Sequence, residues 1–186
     1  RERSARKGKI SVLVGGKYEN MRHRRNFLIN LRKEDPEIRT NNMDKKEFVL
    51  KAVSDKKALI VDVSDKIFDY AEVGFHEFKT AKLYEEVLKK EGFQVEMGVG
   101  GMPTAFKAVY GSGKPVIGFL AEYDALPELS QEGGCTMRKE AAGDNPDGHG
   151  CGHNLLGAGA MAAALAVKAY IEEHPEAGTV ILFGCP

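Results

Sequence analysis

The pattern of apolar and polar positions predicts two helices in the first half of the chain. A helical pattern follows Met43 and ends near Gly74, with apolar residues at spacings of three, four and seven: Val49, Val53, Ile60, Val63, Ile67 and Tyr70. A second helix is predicted from about Glu77 to Glu91, where Gly92 offers a C-terminal stop. Its apolar side contains Phe78, Ala81, Tyr84 and Leu88.

From Phe93 onward the period changes from helical to alternating, which predicts strands. The predicted strands are Phe93–Met97, Ala105–Tyr110, Pro115–Leu120 and Thr179–Phe183. The third is a continuous apolar run of the kind that is buried on both faces, so we expect a central strand with functional residues at its end. An alanine-rich helix is predicted from Leu155 to about Glu173. Alternating helices and strands indicate the α/β class.

The first 42 residues differ from the rest of the chain in apolar periodicity and in charge. They lack sustained apolar periodicity, apart from a basic stretch at Met21–Lys33, and carry twelve basic against five acidic residues. We expect residues 1–42 to be a basic extension outside the fold and residues 43–186 to form one folded unit. Over the whole chain 27 basic residues balance 27 acidic ones, so net charge favours neither a nucleic-acid nor a membrane partner.

Cysteine usage and apolar runs bear on the compartment. Three cysteines cannot all pair, and no secretory apolar segment precedes them, so a disulfide framework is not expected and the cytoplasm is favoured. The longest apolar run, Leu155–Val167, is 13 residues, whereas a membrane-spanning helix needs roughly 20. We interpret it as a buried helix.

The loop Asp147–Asn154 is the strongest candidate for chemistry. His149, Cys151 and His153 alternate with Gly150 and Gly152, which would leave the backbone free to turn three donors toward one point. Imidazole and thiolate together suit borderline metals such as zinc. Asn154 is a suitable N-cap for the following helix, whose dipole would favour a thiolate. The alternative is structural: a histidine caps the helix, Cys151 is a small buried side chain, and the glycines make a turn.

Asp124 and Glu122 follow the predicted central strand and point to one face of an extended chain. Ligands of open parallel sheets bind beyond the carboxyl ends of strands, where Asp124 could orient a ligand histidine. The alternative, carboxylates that accept bonds from turn amides, is equally open for Asp124 and is favoured for Glu122.

Other candidates are weaker. His76 and His174 flank helix ends and are expected in solvent, and Cys135 is more simply an incidental loop thiol than a pocket residue. The basic segment Met21–Arg25 fits a nucleic-acid or anionic surface, but a solvated tail explains it as well.

From Met43 to Pro186 the sequence resembles the aminoacylase-like family of two-metal amidohydrolases and metallopeptidases. The resemblance lies in long motifs: Gly118–Leu126, Leu129–Gln131, Gly134-Cys135, Asp147–Gly157 and Phe183–Pro186. Within the family these motifs fit the subgroup that hydrolyses p-aminobenzoyl-glutamate.

The resemblance implies the N-terminal part of a zinc-peptidase-like catalytic domain, a mixed sheet flanked by helices. By this likeness Cys151 and His153 would be metal ligands, His149 a further candidate, Asp124 an orienting carboxylate, and Glu122 a position where relatives often place an acidic residue. The family binds two divalent ions, zinc or manganese, and hydrolyses the amide bond of an N-acyl amino acid, p-aminobenzoyl-glutamate or a dipeptide-like substrate. Its members also imply a homodimer, or a hetero-oligomer with a related subunit.

The resembling enzymes continue shortly after the position of Pro186 into two adjacent glutamates, one of them the general base, and later into further histidine ligands. Neither is in this chain. We therefore expect a fragment that is inactive alone and whose parent is the hydrolase. A non-catalytic metal-binding or regulatory module and a nucleic-acid-associated protein that uses the basic segment remain alternatives.

Overall fold

The computed structural model describes the backbone of residues 36–186 and the side chains from residue 45 onward. The basic stretch at 21–33 lies outside the described residues. The helices are α1 (Pro36–Asp55), α2 (Lys57–Tyr70), α3 (Phe78–Lys90) and α4 (His153–Glu173), with short 3-10 turns at Val99–Gly101 and Pro175–Ala177. The strands are β1 (Gln94–Met97), β2 (Phe106–Gly111), β3 (Val116–Glu122) and β4 (Thr179–Cys185). An α/β class is confirmed.

The first predicted helix is in fact two helices, so the expectation of one continuous helix was wrong. The break falls at Lys56, whose ammonium group lies 2.6 Å from a carboxylate oxygen of Glu91 at the end of α3. The apolar register survives the break, because Val63 and Ile67 of α2 are fully buried. α1 begins at Pro36, a favoured residue for a helix start. The expected boundary after residue 42 therefore falls inside a helix, and the division into two segments remains a prediction.

The buried face of α3 differs by one position from the prediction. Ala81, Tyr84 and Leu88 are buried as expected, but Phe78 is 57% exposed. The residue that completes the buried face is Glu77, directly before the helix, with no exposed surface. Spacings of four, three and four from Glu77 trace one side of a helix, which explains why Phe78 points elsewhere.

The four described strands form one mixed sheet in the order β1-β2-β4-β3. β1–β2 and β2–β4 are antiparallel, whereas β3 and β4 are parallel, with Glu122 opposite Cys185. The expectation that the apolar strand at 115–120 is central was wrong: within the described residues β3 pairs only with β4, and Val116, Ile117 and Leu120 are about half exposed. β4 takes the inner position instead, and Val180 and Leu182 are fully buried there.

α4 packs against the sheet and against α1 and α2, and so joins the layers of the fold. It has the length and composition of a membrane span, but core helices of globular proteins have these properties too, and nearly half of its apolar window is buried. Gly157 allows the close approach: a Cβ there would lie 2.5 Å from both the Glu122 carbonyl oxygen and the Tyr84 hydroxyl. This contact sets the start of α4 against the end of β3.

Candidate metal centre

The centre of the site is a carboxylate–imidazole pair. Asp124 lies two residues beyond β3, and His153 is the first residue of α4, preceded by Gly152 in a left-handed conformation (φ 76°). The Nδ1 atom of His153 is 2.5 Å from Oδ1 of Asp124. Because a carboxylate can only accept, Nδ1 carries the proton and donates it. The sequence analysis expected Asp124 to orient a ligand histidine without naming which one, and the fold brings it to His153.

Glu122 completes the surroundings of the His153 ring. Its Oε2 atom lies 3.2 Å from Nε2 of His153, and its side chain is 56% exposed. Glu122 and Asp124 are two residues apart in extended chain, so both side chains leave on the same side. The sequence favoured turn amides as partners of Glu122; the contact that its carboxylate makes is with His153 instead. A nitrogen donor and carboxylate oxygens therefore meet at one edge of the sheet.

Cys151 lies two residues before His153 and is exposed. The predicted capping role of Asn154 was wrong, because Gly152 takes the N-cap position and Asn154 lies inside α4. The Asn154 side chain is buried and donates a hydrogen bond to the Ser64 hydroxyl of α2 at 3.2 Å. Asn154 therefore ties the helix start to α2.

His149 is attached to α2 by its ring. Its Nε2 donates to the Ile67 carbonyl at 3.0 Å, and its ring stacks on Phe68 with centroids 6.2 Å apart. Burial, foremost, lowers the pKa of His149, which favours the neutral ring. The three donors of the loop are thus not turned to one point, and within the side chains described from residue 45 no group of three or more His, Cys, Asp or Glu residues has a metal-binding arrangement.

The loop glycines serve close contacts. A Cβ at Gly148 would overlap the Leu129 carbonyl group, and one at Gly150 would lie 2.5 Å from the Leu129 side chain. Leu126 and Gly148 also exchange backbone hydrogen bonds of 2.9 and 3.0 Å. Glycine at 148 is therefore required by the close approach of the Leu129 backbone, whereas at Gly150 it makes room for the end of the Leu129 side chain.

Known proteins of similar sequence or fold include hydrolases and peptidases. No protein-family model matches the chain. It is 46% identical over 140 residues to a subunit of the p-aminobenzoyl-glutamate hydrolase of Escherichia coli, a match that covers 75% of this chain and 29% of that protein. It is 32% identical over 114 residues to thermostable carboxypeptidase 1 of Saccharolobus solfataricus, covering 60% and 28%. Among solved structures, an aminohydrolase from Staphylococcus aureus matches with a TM-score of 0.60 at 25% identity, over 75% of this chain and 34% of that one.

A Bacillus subtilis structure described as a dinuclear metal-binding peptidase of the M20 family shares the fold, with a TM-score of 0.53 at 22% identity, over 76% of this chain and 36% of that chain. This chain belongs to the M20, aminoacylase-like, peptidase family. It spans about a third or less of the length of these M20 relatives. The predicted fold, part of an M20 catalytic domain with a mixed sheet and flanking helices, is confirmed.

The residues of this M20 chain fit part of a divalent-metal site. A ligand histidine commonly donates its other ring N–H to a carboxylate, as His153 does to Asp124. The Nε2 atom of His153 remains as a metal ligand. Cys151 offers a thiolate and Glu122 a carboxylate, and ligands of these types suit zinc or manganese. Fewer than a full set of ligands is present in the described part of the chain.

Three cavities lie along the loop between β3 and α4. One, with a volume of about 410 Å³, is lined by Phe68, Leu129, Arg138 and His149 among others. None of the three is lined by Asp124, Cys151 or His153. Cys135, whose thiol contacts the Met137 carbonyl at 3.3 Å, does not line them either.

Two further histidines of the described residues, His76 and His174, are at least partly exposed. His76 is exposed, and the His174 ring packs on Tyr170 with centroids 4.4 Å apart. The sequence analysis did not single out Glu77, which lies near the site. Glu77 is fully buried, and neither of its carboxyl oxygens has a hydrogen-bond partner among the described residues. The signal was its spacing to Ala81, Tyr84 and Leu88, which places it on the apolar face despite its charge.

Proposed function

We propose that this chain provides part of the metal site of a metal-dependent amide hydrolase. The observation that supports this is the 2.5 Å contact between Asp124 Oδ1 and His153 Nδ1, which leaves the lone pair of Nε2 to bind a metal. The family relationship supports it independently.

In this proposal Cys151 and His153 would hold a divalent ion, zinc or manganese, of the two bound by the full-length protein. The bound ion would polarise the amide carbonyl and lower the pKa of a bound water. Asp124 keeps the His153 proton on Nδ1 and fixes the plane of the ring. Glu122 adds negative charge beside Nε2, which favours a cation there. His149 holds the loop on α2 and is not required as a ligand.

The proposed substrates are N-acyl amino acids, p-aminobenzoyl-glutamate or dipeptide-like amides. The names of relatives support this range: one is a hydrolase of p-aminobenzoyl-glutamate, and another is a mouse Xaa-Arg dipeptidase, 36% identical over 95 residues. Because the first relative is named as one subunit of its enzyme, we also propose that the full-length protein is a homodimer or pairs with a related subunit. The cytoplasm remains the proposed location.

Replacing Asp124 with asparagine is expected to lower the zinc affinity of the chain by about 10- to 100-fold. The amide keeps the shape but has no charge to favour the Nδ1–H tautomer of His153. Competition with a chromophoric chelator measures the dissociation constant. Asp144→Asn, a change in the loop away from the pair, is the control and should match the unmodified chain.

The 186-residue chain alone is expected to bind zinc but not to hydrolyse p-aminobenzoyl-glutamate. It spans 29% of the E. coli relative, and its described side chains lack a complete ligand group. Product release with zinc or manganese should not exceed that of Cys151→Ala. Turnover clearly above that control would contradict the expectation.

A chimera tests the catalytic role itself. The matching residues of this chain replace the aligned 140 residues of the E. coli p-aminobenzoyl-glutamate hydrolase. We expect the chimera to hydrolyse p-aminobenzoyl-glutamate and the His153→Ala chimera to lose that activity. A folded chimera that binds zinc but is inactive would favour the metal-binding module instead, for which the incomplete ligand group among the described side chains is the supporting observation.

A further inference from the structure

Glu77 is an unexplained carboxyl in the core of the fold. It directly precedes α3 and has no exposed surface. Neither of its oxygens has a hydrogen-bond partner among the described residues, and its side chain does not cap the helix. Burial of a polar group without compensation costs several kcal/mol, so such a group usually has a specific role.

The Glu77 carboxyl and Asp124 border the same small space. A Cβ built on Gly74 would lie 4.0 Å from Oε1 of Glu77 and 4.0 Å from Oδ2 of Asp124. Because Gly74 has no side chain, nothing from that residue separates the two oxygens. Asp124 contacts His153 through its other oxygen, Oδ1, so Oδ2 is left for a second partner.

The backbone around this space is held in place. The Ala125 amide donates to the Glu72 carbonyl at 2.8 Å, and Val73 pairs with Ala125 in a parallel bridge. The Glu72 side chain accepts bonds from the amides of Lys79 and Thr80 at 3.0 and 2.9 Å, which fixes the start of α3. Glu77 and Asp124 therefore cannot drift apart without breaking these bonds.

Tyr123 gives a second indication of where the Glu77 carboxyl lies. Burial, foremost, and then the charge of Glu77 raise the pKa of Tyr123, the residue directly before Asp124. The Tyr123 hydroxyl donates to the Thr104 carbonyl at 2.7 Å, so its hydrogen is not available to Glu77. The Tyr123 hydroxyl is thus not the partner of Glu77.

We propose that Glu77 is a positioning residue that is joined to Asp124 Oδ2 across the space beside Gly74, either by donating the proton of its carboxylic acid form or through one water that donates to both groups, and that thereby fixes the Asp124–His153 contact. A carboxylate with a hydrogen bond at one oxygen can still turn about its Cβ–Cγ bond, whereas a carboxylate with hydrogen bonds at both oxygens cannot. The fixed plane keeps Nδ1 of His153 engaged and aims Nε2 at the metal position. The inference rests on the proposed function for the use of His153 as a ligand, but the contact itself does not.

Three variants of the 186-residue chain test the proposal. Glu77→Met removes the polar group and keeps much of the volume, Glu77→Gln keeps the shape and can donate or accept a hydrogen bond, and Gly74→Ala retains both carboxyls but adds a methyl 4.0 Å from an oxygen of each. The alanine is compatible with packing, because a distance of 4.0 Å is ordinary van der Waals contact. Asp124→Asn serves as the reference for a lost contact.

Three quantities are measured: the nitrogen resonances of the His153 ring in the metal-free chain, assigned with His153→Ala; the zinc dissociation constant; and the urea midpoint of unfolding. We expect Glu77→Met to shift the His153 resonances toward those of Asp124→Asn and to weaken zinc binding about tenfold. Gly74→Ala should shift them in the same direction by less. Glu77→Gln should restore wild-type values.

Unchanged His153 resonances and zinc affinity in Glu77→Met and Gly74→Ala, with only a lowered urea midpoint, would overturn the proposal and leave Glu77 as a residue of the fold. If Glu77→Met does not fold, Gly74→Ala decides alone. If Glu77→Gln weakens zinc binding as much as Glu77→Met does, that result would also contradict the proposed hydrogen bond. If no form binds zinc while the His153 shifts occur as expected, the proposed metal site fails and the positioning role stands.

Discussion

His153→Ala is expected to weaken zinc binding by more than about 100-fold, the largest effect of any single change at the site. The variant removes the ring whose Nδ1 contacts Asp124 and whose Nε2 is the proposed donor. Loss of a supporting residue alone costs about 10- to 100-fold, so loss of the ligand itself should exceed this. The dissociation constant is measured by chelator competition at constant pH, because metal competes with protons for the ligands.

His149→Ala is the matched control, since it removes the same side chain from the same loop. His149 donates to Ile67 and stacks on Phe68, so its loss should lower the free energy of unfolding but leave the zinc affinity within about threefold. Equal loss of zinc binding in the two variants would show that His149 is a ligand and that the loop rearranges around the metal.

Gly157→Ala should destabilise the fold, although it replaces a glycine inside a helix. The new Cβ would lie 2.5 Å from the Glu122 carbonyl oxygen and from the Tyr84 hydroxyl, and neither the strand nor the buried tyrosine can move freely. Overpacking of this kind costs about 1–3 kcal/mol, which outweighs the gain of about 1 kcal/mol from replacing glycine in a helix. Urea unfolding measures the change in free energy.

Gly159→Ala, two residues further along the same helix, separates the effect of helix propensity from the effect of steric overlap. A Cβ at this glycine meets no atom within 4 Å, so the variant should be about 1 kcal/mol more stable than the unmodified chain. Stabilisation by both alanines would mean that α4 and β3 are not packed as closely as the structure describes. Because His153 lies one turn before Gly157, zinc affinity should fall with Gly157→Ala alone.

Local patterns predicted the elements whose periodicity is unbroken. α3, β4 and α4 lie close to the predicted positions, because each presents a continuous apolar pattern to one core. At the break, Lys56 forms an ion pair with Glu91, a partner 35 residues away that no local pattern contains. The position of β3 at the sheet edge also depends on pairing, since an apolar run is the same sequence in an inner or an outer strand.

The candidate site was predicted in part for the same reason. Asp124 and His153 carry polar side chains at the ends of apolar elements, a signal that is local. The attachment of His149 to Ile67 and of Asn154 to Ser64 depends on how α2 packs, so their roles could not be predicted from the loop. Glu77 was missed because its charge conceals its membership of a buried face.

The packing of Gly157 on the Glu122 carbonyl has a consequence for how this protein could diversify. It ties the start of α4 to the end of β3 directly, so the Asp124–His153 distance does not depend on the length of the loop between them. That loop lines all three described cavities. Insertions and deletions within it could therefore reshape the surface beside the site over evolution, while the carboxylate–imidazole pair keeps its geometry.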